Sequence, residues 1–316
     1  MPGKCSGPMT NTYSSKQLAI LALLATMIFW GSAAVFMRTL ALSLSPENSL
    51  ALRYVFITAI NVAVLLALGT WRIPRADWGR FLIAGLAGMG GYNWFVNEGF
   101  ALVPAGLGTI ITMVEPFMIA VLAWALLSEK LSRFVWLGLA IASIGAIVLF
   151  WDDLTSATGS TVSVRGIIYL LFCCLCWAIY TIAAKPLLQT YDSLTVTAMT
   201  MTIAAPFMIA LASDPLLQLA QRLDPRQWAE LVYLIGPSGL IGTLLWNYGS
   251  KTLTGAATGM FLYLIPVVAV ACGALILAEP VTVNIVLGGL LMLAQGSQWN
   301  PTYRRVKKPD SVERFW

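Results

Sequence analysis

The chain has 316 residues, of which 59% are hydrophobic and 10% charged, and its formal net charge is +5. Soluble proteins carry about 25% charged residues, so this composition excludes an ordinary soluble domain and favours a helical integral membrane protein. The basic residues lie at helix ends and in the tail, at Arg304, Arg305, Lys307 and Lys308. That placement indicates membrane lipid, and not nucleic acid, as the neighbouring surface.

The first predicted element is the apolar run that ends at Arg38. It is about as long as a full membrane span, so we interpret it as a transmembrane helix and not as a signal peptide. Reading the later apolar runs against glycine, proline and charge gives ten predicted spans in all. In chain order they are 18–38, 48–69, 79–101, 105–127, 133–151, 165–185, 194–213, 229–250, 257–277 and 281–299.

Lysine and arginine set the predicted orientation of these spans. With the N-terminus inside, only five of the 19 basic residues fall on the outer side, namely Arg38, Arg53, Arg165, Arg222 and Arg226. The positive-inside rule then predicts that both termini lie in the cytoplasm. The tails are residues 1–17, predicted to be disordered, and residues 300–316.

The chain repeats itself, because residues 97–138 recur at an offset of 150 without a gap. The residue pairs that match are Asn97 and Asn247, Gly99 and Gly249, Pro116 and Pro266, Glu129 and Glu279, and Gly138 and Gly288. Upstream, Trp30 and Arg38 fall on Trp177 and Lys185 at an offset of 147. The chain is therefore two copies of one unit.

Five spans in each copy is an odd number, so the second copy must enter the membrane from the opposite side. The predicted fold is an all-α membrane protein of ten transmembrane helices, arranged as two inverted five-helix repeats around a central cavity. The first repeat is 18–151, an outer linker is 152–164, and the second repeat is 165–299. Inverted repeats of this kind recur in secondary transporters, with the substrate near the midplane.

Short motifs in both copies carry a resemblance. The first copy reads NEGFALVPAG, MVEPF and LLSEKLS, and the second reads NYGSKTLTGA, LIPVV, ILAEPVT and LGG. This resembles the drug/metabolite transporter superfamily in its ten-helix EamA-type branch, and the general layout is similar to bacterial aromatic amino acid exporters. The resemblance implies a multi-pass protein of the bacterial inner membrane that exports small metabolites or toxic amphiphiles. One departure is that Glu115-Pro116 becomes Ile265-Pro266, so Glu115 is not a requirement of the fold in both halves.

Aromatic residues near the bilayer centre are the first candidates for substrate binding. Trp30 lies eight residues from Arg38, which is roughly 12 Å along a helix and well below the interface. Trp177 relates to Lys185 in the same way, so we expect both tryptophans to line the cavity. The other aromatic residues at similar depth are Tyr92, Trp94, Trp246, Tyr248 and Tyr263. Core or lipid-facing packing is the alternative for each.

Intramembrane amides and carboxylates are the remaining candidates. Asn93 and Asn97 lie one turn apart on one face, and with Asn247 they are placed either to hold an amino acid or to clamp helices. Glu115 and Glu98 are the carboxylates well inside spans, so proton coupling is assigned to them as a candidate role. The chain has no histidine, which keeps downhill uniport open as the competing mechanism.

Other chemistries receive little support. Cys173 and Cys176 form a C-x-x-C inside an apolar run, which is typical of helix packing, so we predict no disulfide, no metal site and no cofactor. Catalytic and nucleotide-binding motifs are not visible, which argues against an enzyme. Lys185 and Arg38 lie at helix ends, where we expect their side chains to extend to the interface.

The predicted function is therefore a monomeric secondary transporter that exports small amphiphilic metabolites, with aromatic amino acids preferred. The alternatives are a broad-specificity drug or cationic-toxin exporter driven by proton antiport and, with less support, a lipid-handling protein. The expected partners are a small-molecule substrate and membrane lipid.

Overall fold

The computed structural model describes residues 12–40, 43–103, 105–129, 131–156, 163–278 and 281–294, and within these ranges the chain is helical with short connections and no strand. The remaining residues include most of both predicted tails, Lys130 and Glu279. The predicted location of the termini also lies outside the described residues.

Helices of the first copy follow one another with few interruptions. They are α1 (Thr12–Leu40), α2 (Pro46–Leu68), α3 (Arg75–Ile83), a π-helical segment (Ala84–Gly91), α4 (Tyr92–Leu102), α5 (Ala105–Thr112), α6 (Glu115–Leu127), α7 (Arg133–Leu149) and the short α8 (Trp151–Ser156).

Helices of the second copy have a matching order. They are α9 (Val164–Thr190), α10 (Ser193–Ala210), the short α11 (Leu216–Arg222), α12 (Pro225–Tyr233), a π-helical segment (Leu234–Ile241), α13 (Gly242–Thr252), α14 (Gly255–Met260), a 3-10 turn (Phe261–Tyr263), α15 (Leu264–Leu277) and α16 (Val283–Ala294).

Seven helical stretches in the described part of the chain are long and apolar enough to cross a membrane. They are Ser15–Met37, Pro46–Leu68, Gly108–Leu127, Val164–Thr190, Ser193–Ala210, Pro225–Thr252 and Gly255–Ile276. Arg133–Leu149 and Val283–Leu293 are shorter apolar helices. The predicted span 79–101 corresponds to the continuous helical run from Arg75 to Leu102, which carries Asn93, Asn97 and Glu98. The number of ten spans stays a prediction.

Several boundaries differ from those predicted, and α9 continues to Thr190, five residues past the predicted end of its span. The helix α1 begins at Thr12, so residues 12–17 of the predicted disordered tail are helical, because a polar first turn can extend a span beyond the bilayer core. The predicted linker 152–164 is partly helical, since α8 continues to Ser156. The predicted span 105–127 is two helices that break at Met113 and Val114.

Backbone irregularities occur at the same places in both copies. The π-helical segments Ala84–Gly91 and Leu234–Ile241 are related by the offset of 150. The residues Ser128 and Ala278, also at that offset, both have φ of 53° and end their helices in the left-handed conformation. The repeat that the sequence shows is therefore a repeat of local structure as well.

Helix packing is also matched between the copies. The helix α1 packs against α13 and α15, and its counterpart α9 packs against α4 and α6. The helix α2 packs against α10, and α7 packs against α16. The largest buried cluster runs through α1, α2, α9, α10 and α13, while a second cluster joins α6, α7, α14 and α16.

Candidate functional site

Three tryptophans from three helices meet in the largest buried cluster, and we call them the tryptophan cluster. Trp30 on α1 meets Trp177 on α9 edge to face, with ring centroids 5.2 Å apart. Trp246 on α13 lies 5.5 Å from Trp30 and 5.6 Å from Trp177. The predicted site residues Trp30, Trp177 and Trp246 are thus brought together.

Trp177 is the centre of this group. It also contacts Tyr92 on α4 at 5.0 Å and Tyr180 on its own helix at 4.9 Å. Only 4% of the Trp177 surface and 0% of the Trp246 surface is exposed. In this conformation, therefore, Trp177 and Trp246 are closed off by their neighbours, and a substrate would reach their faces only by separating the rings.

The two π-helical segments supply hydrogen-bond acceptors beside the rings. Trp30 donates its Nε1 proton to the carbonyl of Ser238 at 3.0 Å. The carbonyl of Met89 accepts from the Asn93 amide at 2.7 Å and from the Tyr54 hydroxyl at 3.2 Å. A π-helical turn interrupts the regular α-helical pairing, and such turns are frequent at functional sites. Asn93 is thus held against the backbone of its own helix.

Asn247 and its copy-related partner Asn97 have different surroundings. Asn247 is fully buried, and its amide donates to the Tyr180 hydroxyl at 2.8 Å and to the Thr197 hydroxyl at 2.9 Å. Asn97 is half-buried, and its side chain makes no hydrogen bond among the described residues. Clamping of helices therefore accounts for Asn247, whereas Asn97 has its amide free for another contact.

Glu115 begins α6 directly after the break at Met113 and Val114. Pro116 follows in the first turn, where a backbone N–H has no acceptor within the helix, so proline loses no hydrogen bond there. Only 7% of the Glu115 surface is exposed. Its oxygen and the sulfur atoms of Cys173 and Cys174 lie within 4.8 Å of one another. This grouping contains three donor atoms, and the prediction of no metal site stays a prediction.

Three predicted residues lie away from the tryptophan cluster. Tyr263 belongs to the second buried cluster, where its hydroxyl donates to the carbonyl of Met113 at 3.1 Å. Tyr248 is 38% exposed, because each residue on a helix turns by about 100° and Trp246 already faces inward. Glu98 is half-buried and makes no hydrogen bond or ion pair in the part of the chain that the structure describes.

Lys185 was not predicted as a buried residue, yet only 9% of its surface is exposed, and its extension to the membrane interface stays a prediction. Its Nζ donates to the carbonyl of Leu253 and lies 3.6 Å from Oε1 of Glu129. Glu129 also accepts from the backbone N–H of Gly255 at 2.9 Å. The sequence carries no signal for this pairing, since Lys185 and Glu129 lie in different copies and are not related by the repeat offset.

Arg53 is a second residue that sequence reasoning missed, since it was counted as an outer flanking charge. It lies inside α2, and its Nε is buried without a hydrogen-bond partner in the described ranges. An ionisable residue inside a span is costly and usually has a function. The sequence did contain a signal for this, because Arg53 lies inside the predicted span 48–69 and not at its end.

Comparison with known proteins agrees with this architecture. The EamA-like transporter family matches residues 17–151 and 164–294. A probable terminal-alkyne amino-acid exporter of Streptantibioticus cattleyicolor is 29% identical over 279 residues, which cover 87% of this chain and 91% of that protein. An uncharacterized transporter of Archaeoglobus fulgidus is 28% identical over 278 residues, covering 88% and 96%.

A protein of known crystal structure has the same fold, with a TM-score of 0.71 over 89% of this chain and 95% of that chain. Its identity of 19% makes this a likeness of fold alone. The family match extends over most of the chain, in two stretches that together include all three residues of the tryptophan cluster. The protein is therefore a membrane transporter, and it belongs to the EamA-like transporter family.

Proposed function

We propose that this protein is a secondary transporter that exports small amphiphilic metabolites, with aromatic amino acids as the preferred substrates. The observation that carries the proposal is the tryptophan cluster, in which Trp30, Trp177 and Trp246 from three helices meet inside the bundle. Pairs of aromatic rings gain about 0.5 to 1.5 kcal/mol beyond simple burial. A substrate ring that enters this cluster replaces ring contacts with equivalent ones, so separating the tryptophans costs little.

The proposed mechanism is alternating access between two inverted five-helix repeats of a ten-span protein. It is supported by the matched irregularities, since both π-helical segments and both left-handed residues Ser128 and Ala278 recur at one offset. It is also supported by the reciprocal packing of α1 and α9 on the opposite copy. Rocking of such repeats about a shared site exposes it to each side in turn. We further propose a monomer in the bacterial inner membrane with cytoplasmic termini.

The substrate class is supported by polar groups on α4, the helix whose Tyr92 contacts Trp177. The unbonded amide of Asn97 offers both a donor and an acceptor to an amino acid, and Asn93 lies one turn before it. A relative is named as an amino-acid exporter, and this agrees with a substrate that carries both an amine and a carboxylate.

A second candidate function is a cationic-toxin exporter driven by proton antiport. The observation that favours it is Glu115, which is buried and forms no ion pair among the described residues. A carboxylate in this position can alternate between binding a proton and binding a cation. The two candidates differ in whether transport requires this one group.

Counterflow of labelled phenylalanine and tryptophan in proteoliposomes tests the proposal. We expect flux that falls when both Trp30 and Trp177 are changed to alanine. The matched control is Trp124→Ala, because Trp124 is 61% exposed and faces away from the protein interior. Unchanged flux in the Trp30→Ala/Trp177→Ala double variant would remove the tryptophan cluster from the substrate site. Loss of all transport in Glu115→Gln at every pH would favour the cationic-toxin antiporter instead.

A further inference from the structure

Four buried side-chain donors lie on α9 and α13 without a hydrogen-bond partner in the described part of the protein. They are the Nε1 atoms of Trp177 and Trp246 and the hydroxyls of Thr181 and Ser250. Their exposed fractions are 4%, 0%, 1% and 2%, respectively. Buried polar groups are nearly always hydrogen-bonded, and each one that is not costs free energy. Four such donors on two packed helices therefore point to a ligand that accepts hydrogen bonds.

The contacts between α9 and α13 place these donors at matching heights. The Trp177 ring is 5.6 Å from the Trp246 ring, and further along both helices Lys185 donates to the carbonyl of Leu253. Both contacts advance in the same direction along the chain, so the two helices run parallel. Thr181 lies one turn after Trp177, and Ser250 lies one turn after Trp246. We call these four residues the donor column.

The faces of the two helices agree with this alignment. Tyr180 and Asn247, each next to a column position, hydrogen-bond to each other across the interface at 2.8 Å. Thr181 and Ser250 each lie four residues after a contacting tryptophan, on the same stripe of their helix. The donor column thus begins at the tryptophan cluster and leads along the interface toward Lys185.

The donor column ends at the buried ion pair of Lys185 and Glu129. The Nζ atom of Lys185 lies beyond Thr181 on the same stripe of α9, and 3.6 Å from Glu129. An indole N–H can only donate a hydrogen bond, and a lysine ammonium has three donors and no acceptor. The two indole N–H groups therefore require an acceptor, which a carboxylate supplies and an ammonium group does not, and the two hydroxyls can also donate to it.

The first copy does not have an equivalent column. Trp30 already donates to the carbonyl of Ser238, so its indole N–H is used. The position that corresponds to Ser238 in the first copy is Gly88, and the ring of Tyr180 packs directly against Gly88. Trp177 is thus left without the acceptor that its counterpart has, and the donor column belongs to the second copy alone.

We propose that the donor column binds the carboxylate of the transported solute while the solute's ring lies in the tryptophan cluster. This inference rests on the proposed function and specifies how the substrate is recognised. Hydrogen bonds to an ionised group are stronger than those to a neutral group. A solute with a carboxylate is therefore selected over the same solute with an amide or with no acid group.

The test compares phenylalanine, phenylalaninamide and phenethylamine, which share a ring and an amine and differ in the acid group. Binding to purified protein is measured by thermal shift, and transport by counterflow, in the wild type and in Thr181→Val/Ser250→Ala. We expect the wild type to prefer phenylalanine. We expect the double variant to lose about 10- to 100-fold of its phenylalanine affinity, as for lost hydrogen bonds to a charged group, with phenethylamine unchanged.

Thr202→Val is the matched control, because Thr202 has another buried hydroxyl without a partner in the described ranges and lies on α10. The single variant Thr181→Val serves if the double variant does not fold. Equal handling of phenylalanine and phenethylamine by the wild type would overturn the column and leave the proposed function intact. Discrimination that survives Thr181→Val/Ser250→Ala but disappears in Arg53→Gln would assign the carboxylate to Arg53 instead. A wild type that neither binds nor moves any of the three compounds would contradict both proposals.

Discussion

Trp30 and Trp177 hold equivalent positions in the two copies of the repeat, and their indole rings contact each other with planes at 78°. A residue that touches its own copy-related partner lies beside the axis that relates the two copies. The proposed twofold axis therefore runs past these rings, and the proposed alternating access requires the halves to slide or separate there. The two rings are nevertheless unequal, since only Trp30 has an acceptor for its N–H.

Because the surroundings of Trp30 and Trp177 differ, we expect their replacement by alanine to lower the free energy of unfolding by different amounts. Trp177→Ala removes contacts with four other aromatic rings from a fully packed position, so we expect a loss of about 3 to 5 kcal/mol in the free energy of unfolding. Trp30 is only half-buried, and we expect Trp30→Ala to cost less. Unfolding in mixed micelles measures both, with Trp124→Ala as the lipid-facing control. Equal losses in the two variants would contradict the structure of the cluster.

A pair of copied glycines gives a second prediction. Gly249 lies against Leu23 of α1, and its copy Gly99 lies against Leu170 of α9, so that an added Cβ would overlap leucine atoms in both places. We expect Gly249→Ala to destabilise the fold by about 1 to 3 kcal/mol because the added methyl overpacks the interface. Thermal unfolding in detergent measures this loss.

The control for this prediction is Gly79→Ala, since Gly79 on α3 has open space around its Cα. We expect that change to be neutral or to stabilise the helix by up to about 1 kcal/mol. Combining Gly249→Ala with Leu23→Ala should relieve the overlap. A double variant that is no more stable than expected from the sum of the two single changes would mean that crowding is not the cause.

The division of the fold into two copies was predictable, because small and polar residues recur at a fixed offset in the sequence. Gly99 recurs as Gly249, and in both places the glycine lies directly against a leucine of another helix. The π-helical segments were not predictable, because a glycine-rich run fits either helix type until its neighbours are known. One such neighbour is Tyr180, whose ring packs directly against Gly88 in the first π-helical segment.

The sequence predicted how deep in the membrane the candidate site residues lie, but not which side of each helix they face. Counting residues from Arg38 and Lys185 placed Trp30 and Trp177 deep in the membrane, and the structure brings them into contact. The same counting placed Tyr248 and Tyr263 at suitable depth, yet one is partly exposed and the other lies in the second buried cluster. Direction around a helix depends on which helices pack against it, and this information is absent from a single span.

Asp192 at the start of α10 gives a prediction about pH. Its carboxylate accepts from the backbone N–H of Thr195 at 2.8 Å and from the Thr195 hydroxyl at 2.6 Å. Partial burial raises the pKa of Asp192, but these hydrogen bonds outweigh it and hold the pKa below its usual value of 3.8. A carboxylate with a lowered pKa adds stability that is fully present above its unfolded pKa and is lost as pH falls through the folded pKa.

We therefore expect Asp192→Asn to be less stable than the wild type above pH 3.8, the usual value of the group, with the difference shrinking toward zero at lower pH. Asp192→Ala removes the helix cap altogether and should cost about 0.5 to 2 kcal/mol near neutral pH. Unfolding measured across acidic pH tests both variants. A constant difference between wild type and Asp192→Asn down to the lowest pH would mean that the charge of Asp192 contributes nothing.

The ion pair of Lys185 and Glu129 joins the two copies at one end of the bundle. Only 11% of the lysine side chain and 3% of the glutamate side chain is exposed. Removing one member of a buried pair leaves an uncompensated charge, so we expect Glu129→Gln to lower the free energy of unfolding by about 3 to 5 kcal/mol. Glutamine keeps an oxygen that can accept from Gly255, so this change isolates the charge. Unfolding in mixed micelles measures the loss.

Removing both charges separates the pair from simple packing, because well-packed neutral side chains in place of a buried ion pair are often as stable as the pair. We therefore expect Glu129→Gln/Lys185→Met to recover most of the stability that Glu129→Gln loses. Arg226→Gln is the exposed counterpart, since 75% of the Arg226 side chain is accessible in its pair with Glu230. Its cost should be below about 1 kcal/mol. A double variant as unstable as Glu129→Gln alone would show that Lys185 is not held at this position by the charge of Glu129.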